Sequence, residues 1–139
     1  MKNVKKIISF VLVVTMLVSI GIVPVHATSI SEKALLWENL SYLDVSLDFN
    51  NGSVIGEATK GSNEVAHMSG TLTLLKITDE GASVVGQWSG KTTGLTLTVS
   101  GSFTPESGAE YQATFKVTSY RESIADAETA STSVTETCP

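Results

Sequence analysis

The chain has 139 residues, nine basic against fourteen acidic side chains, a net charge of −5 and one cysteine. That length holds one domain, and a single cysteine excludes an intrachain disulfide framework. An acidic balance without a basic cluster argues against nucleic acid or anionic lipid as a partner.

The first stretch reads as an address. Lys2, Lys5 and Lys6 precede an apolar run over 7–23, followed by Pro24 and the small-residue site Val25-His26-Ala27. A charged start, an apolar middle and an A-x-A-like end predict a helical secretory signal peptide over 1–27, cleaved after Ala27. The exported part then keeps six cations against all fourteen acids, a net −8. With neither a second apolar segment nor a cell-wall sorting motif, it is expected outside the membrane, released or held non-covalently at the envelope. Residues 28–40 form a leader, in which Ser31 either caps a short helix or belongs to an irregular segment.

From 41 to 120 the pattern has period two. Leu43, Val45, Leu47 and Phe49 alternate with Tyr42, Asp44, Ser46 and Asp48, which makes a strand with one dry face. Asn50-Asn51-Gly52 predicts a tight hairpin turn with positive-φ residues. The return strand, 53–60, sets Val54, Gly56 and Ala58 in phase, a thin face suited to lie under a large side chain. After the turn at 61–63, Met68, Gly70, Leu72 and Leu74 share one phase and Leu75 and Ile77 the other. That change predicts a bulge or a switch of sheet. Asp79-Glu80-Gly81 turns the chain into a strand with Val84, Gly86 and Trp88 in phase.

Residues 94–120 carry the clearest signal. Leu95, Leu97, Val99 and Phe103 alternate with Thr and Ser; beyond 105–109, Tyr111, Ala113, Phe115 and Val117 alternate with polar residues. This reads as a β-hairpin. Gly108-Ala109-Glu110-Tyr111 delivers a tyrosine to a strand start, either as a tyrosine corner or as a core tyrosine with its hydroxyl at the rim. Residues 121–139 are small and polar, either a tail or a last edge strand. The sum is an all-β chain: an antiparallel β-sandwich of six to seven strands, immunoglobulin-like in size.

Trp37-x-x-Leu40-x-x-Leu43, Leu47-x-Phe49 before a glycine turn, Leu72-Thr73-Leu74-Leu75-Lys76, Trp88-Ser89-Gly90 and Gly108-x-x-Tyr111 follow in order along the chain. In this the sequence resembles small secreted proteins of Gram-positive bacteria catalogued only as a domain of unknown function. Leu75 and Gln112 depart from that pattern, where polar and basic residues are usual. The resemblance implies export and an all-β fold, and carries no activity or site residues.

Chemistry is sparse. His67 is the one histidine beyond the signal segment, so a Ser/His/Asp site is not expected. One His and one Cys fall short of a zinc set. The stretch from Asp48 departs from a calcium loop at Gly52, Ser53 and Thr59. No spacing pairs two carboxylates for glycoside hydrolysis. No cofactor and no enzymatic activity are expected. The leading expectation is an extracellular interaction or envelope-associated module whose partner is a protein or an envelope glycan. The alternatives are a carbohydrate-binding module, or a small secreted toxin or inhibitor. Tyr42 and Tyr120, on the wet phases of their strands, are the candidate ligand-binding residues. Cys138 is the candidate for an intermolecular disulfide.

Overall fold

The computed structural model describes residues 38–139. The expected signal helix and residues 28–37 of the leader, with Trp37, lie outside them. Seven strands follow: β1 (Leu40–Asp48), β2 (Ser53–Lys60), β3 (His67–Thr78), β4 (Gly81–Thr92), β5 (Thr96–Ser102), β6 (Glu110–Tyr120) and β7 (Glu128–Thr137). They form two sheets, ordered β1-β2-β5 and β4-β3-β6-β7, with every pairing antiparallel. This is the expected β-sandwich. Of the two readings of 121–139, the strand is the one formed: β7 pairs along β6 from Glu110↔Thr137 to Ser119↔Glu128. The core therefore runs beyond residue 120, and Ala130 and Cys138 are buried in it.

Two aromatic plugs set the spacing of the layers. Phe115 of β6 is fully buried, and its ring lies against Gly56 of the facing sheet and Gly70 of neighbouring β3. A Cβ on Gly56 would stand 2.5 Å from Phe115 Cγ, and one on Gly70 would stand 2.7 Å from the ring. Trp88 of β4 lies in the same way over Gly86 and, across the sandwich, Gly101 of β5. The thin face of β2 is thus the seat of a large side chain. Packed interiors leave no slack for an added methyl against a rigid ring.

One end is closed by Phe49, Phe103 and Tyr111, whose ring centroids lie 5.1–6.2 Å apart. Such tilted aromatic contacts are favourable beyond their burial. The Tyr111 hydroxyl accepts the backbone N–H of Glu106 at 3.1 Å. That is the tyrosine corner, which ties the loop of 103–109 to the strand it feeds. Lys76 of β3 pairs with the Glu106 carboxylate and holds the loop from a third side.

Several local expectations are corrected. Residues 94–120 do not make a hairpin, because β5 pairs with β2 while β6 pairs with β3 and β7. Phe103 N–H bonds to Gly52 O, Pro105 cannot donate to a ladder, and 103–109 instead crosses the roughly 10 Å between sheets. Alternation is identical for a hairpin and for such an arch, so periodicity could not separate them. Leu95 falls before β5 and is 62% exposed. The bulge expected after Leu74 is present, with its extra residue on β4: β3 pairs without a break to β6, while Val85 is the extra residue opposite Leu74/Leu75. The bulge turns Val84 outward, 68% exposed, instead of in phase with Trp88. In the β1–β2 turn only Gly52 has positive φ, at 60°. Asp48 stabilises the rest of that turn by accepting the backbone N–H groups of Asn50 and Asn51.

Gly56→Ala is expected to cost about 1–3 kcal/mol in urea unfolding. Combined with Phe115→Leu, it should cost less than the two single changes summed, because the smaller side chain vacates the space the methyl needs. A second expectation concerns acid. The Asn51 side-chain amide, with the Asn51 and Asn50 backbone N–H groups, holds the Asp48 carboxyl below its ordinary value. A depressed carboxylate pKa contributes stability above the unfolded value, lost as pH falls through the folded one. Asp48→Asn should therefore flatten the acid limb of a plot of Tm against pH.

Candidate functional site

Antiparallel pairing brings outward side chains into ranks across the four-stranded sheet. The first rank runs Lys91–Ser69–Thr118–Thr129, the second Ser89–Thr71–Lys116–Ser131, and the third Gln87–Thr73–Thr114–Ser133. Hydroxyls dominate these three ranks: nine of their twelve positions are Ser or Thr. Small β-branched and hydroxylated side chains suit a pleated, half-exposed surface. Their mutual bonds are few: Thr118 with Thr129 at 3.1 Å, and the Gln87 amide donating to Thr73 at 3.2 Å. Most of these hydroxyls are left facing solvent.

At the head of the ranks stands an aromatic pair. His67↔Tyr120 are register partners on β3 and β6, and their rings stack at 4.9 Å with an interplanar angle of 28°. Around them a shallow hollow of about 630 Å³ is lined by Ser69, Lys91, Thr92 and Thr93. It adjoins a second, of about 540 Å³, lined by Thr71, Ser89, Lys116 and Thr118, with Ser69 and Lys91 common to both. Together they form one trough, open along its length, with an aromatic platform at one end and a lysine on each side of β3. This arrangement can stack one ring, donate and accept hydrogen bonds along several more, and attract negative charge. Among the described residues no three His, Cys, Asp or Glu groups converge as for a metal ion.

Tyr42 lies elsewhere. It is 46% exposed on the outer face of the three-stranded sheet, and its hydroxyl donates to Asp44 Oδ2 at 3.2 Å. Partial removal from water, followed by that carboxylate and Glu57, raises its phenol pKa above the ordinary value. Asp44 and Glu57 are direct cross-strand partners, so this face is acidic where the other is not. The two candidate tyrosines therefore occupy opposite sides of the molecule and cannot share one ligand.

Cys138 is buried, 7% exposed. Its N–H donates to Ala109 O at 2.8 Å and its carbonyl accepts Gly108 N–H at 2.9 Å, locking the chain end beside the arch. An intermolecular bridge at this sulfur requires that end to peel away first. Sequence alternation alone marks His67 as a surface residue and gives Lys91 and Lys116 no special standing. Their convergence follows from the order β4-β3-β6, which no local pattern encodes.

No protein-family model matches the chain, and no characterised protein matches it in sequence. Among solved structures it is similar to the β-glucuronidase of Parabacteroides merdae, at 13% identity and a TM-score of 0.36. That match covers 73% of this chain and 13% of the enzyme.

Cys138 should react with a thiol reagent at a small fraction of the rate of free cysteine in the native protein, and at the full rate in denaturant. Non-reducing electrophoresis should correspondingly show a monomer.

Proposed function

We propose that the chain is an exported, non-catalytic β-sandwich module that holds a cell-envelope glycan on the outer face of its four-stranded sheet. The observation that carries this reading is the Tyr120–His67 stack at the head of a hydroxyl-lined trough. Sugars present an apolar ring face and a rim of hydroxyls. The stacked pair of exposed His67 and half-buried Tyr120 meets the first, and ranks of Ser and Thr, with Gln87 and two lysines, meet the second. Binding sites commonly combine an apolar contact with a few polar groups that fix orientation. A long open trough, unlike a closed pocket, accommodates a polymer passing through it.

The export signal expected over residues 1–27 supports this reading, because envelope polysaccharide lies on the far side of the membrane. Among the described residues no helix is long and apolar enough to cross a membrane.

In a pull-down on insoluble envelope polysaccharide, the wild-type protein should be retained. Tyr120→Ala should weaken retention by roughly tenfold, the scale of one lost stacking contact, at unchanged Tm. Tyr42→Ala, on the opposite face, should leave retention intact. No retention of the wild type on any glycan overturns the reading, as does equal retention of the Tyr120 and Tyr42 variants.

A further inference from the structure

We propose that the glycan held in this trough is an acidic one, a polysaccharide with carboxylated sugars, seated by Lys91 and Lys116. This rests on the glycan reading and adds to it the charge of the ligand.

The case begins with the cations. Lys60 Nζ donates to Thr93 O at 2.7 Å, Lys76 pairs with Glu106, and Arg121 engages Asn39 Oδ1 and Glu64. Among the described residues, the two remaining cations, Lys91 and Lys116, have no acceptor on the protein, and both line the same trough. In a chain of net charge −5, two unneutralised lysines on one surface are a local inversion of the molecule's field.

The acids are arranged to match. Asp44, Asp48 and Glu57 lie on the outer phases of β1 and β2, across the sandwich. The three ranks nearest the aromatic pair contain no acid; beyond that end Glu64 pairs with Arg121 and Glu128 accepts the backbone N–H groups of Glu38 and Asn39, while Glu122 and Asp126 stand in the β6–β7 connection. On the same face, Glu110 stands six residues down β6 from Lys116, about 20 Å away. Among the described residues no carboxylate lines the trough, so an anion seated there meets the two lysines without a competing acid on its walls. Such charge complementarity selects among partners more than it adds raw affinity.

Spacing refines the ligand. Ser69 pairs with Lys91 and Thr71 with Lys116, so the lysines sit diagonally across β3. Two inter-strand steps and two residues put their Cα atoms about 12 Å apart. Between them lie the hydroxyls of Ser69, Thr71, Ser89 and Thr118. A polymer whose charged sugars are separated by neutral, hydroxyl-bearing ones answers that order: charge, hydroxyls, charge. A nucleic acid, with a phosphate at every step, would require a basic track along its backbone, and among the described residues the trough is lined by only this pair of lysines.

The test uses the full chain and three immobilised probes: hyaluronate, the same polymer with its carboxyls reduced to alcohols, and a polyglycerol phosphate. The expected result is retention on hyaluronate that falls about tenfold for the Lys91→Ala/Lys116→Ala double variant, the combined scale of two exposed ion pairs. Retention should fall likewise in high salt and on the reduced polymer, while the Lys→Arg pair retains binding and Tm is unchanged. Equal binding to native and reduced hyaluronate, with the lysine variants unaffected, overturns the charge inference and leaves the glycan reading standing. Binding to polyglycerol phosphate alone overturns it in favour of a phosphate ligand. Failure to bind any glycan, neutral envelope polysaccharide included, removes both.

Discussion

The packing of two rigid aromatic rings onto glycines is the constraint from which the rest of this sandwich follows. Phe115 stands on Gly56 and Gly70, and Trp88 on Gly86 and Gly101. Each ring meets one glycine of the opposite sheet, so each fixes the local separation of the layers. A glycine in a strand interior is ordinarily a weakness, lacking a side chain to pack and losing more backbone entropy on folding. Here the lost contact is returned by a ring that fills the vacancy. The layers cannot slide without driving an aromatic edge into a neighbouring side chain, and with the layers fixed the outer face keeps its register.

The arch between β5 and β6 depends on the same register. Its residues are fastened at several points: Phe103 to the Gly52 carbonyl, Glu106 to the Tyr111 hydroxyl and Lys76, and Gly108 and Ala109 to the chain end at Cys138. These bonds gather β1, β3, β5, β6 and β7 at one end of the molecule, beneath the triad of Phe49, Phe103 and Tyr111. The opposite end, where β3 begins and β6 finishes, has the His67–Tyr120 stack and the open trough. One end is tied down and the other presents a surface. That division agrees with a module whose scaffold is rigid and whose ligand is met on a regular sheet face instead of a moving loop.

The two outer faces differ in kind. That of the three-stranded sheet gathers Asp44, Asp48 and Glu57 around Tyr42, with Asp44 and Glu57 directly opposed across a strand pair. Like charges so placed are mildly destabilising. Three ranks of the four-stranded sheet are instead rich in hydroxyls and hold Lys91 and Lys116, which have no partner among the described residues. The physical consequence is an uneven distribution of charge between the two outer faces.

Much of this was legible in the residues themselves. Alternation announces which side chains face inward on β1, β2, β3, β5 and β6, because a pleated strand turns successive side chains to opposite faces whatever it pairs with. Gly56 and Ala58 already implied a large neighbour, and Gly108 to Tyr111 already offered a corner as one of two readings. Alternation is blind to pairing, however. Leu97 to Val99 and Tyr111 to Val117 look the same whether their strands are hydrogen-bonded or stacked in separate layers, and the arch is distinguished only once β5 has found β2. For the same reason Lys91 and Lys116, twenty-five positions apart, mean nothing until β3 lies between their strands. The sequence by itself determined the inward and outward identity of β1, β2, β3, β5 and β6, since that is local geometry. The tertiary structure alone decided which outward residues became neighbours, since strand order is settled by packing between distant segments, and the candidate site exists only in that order.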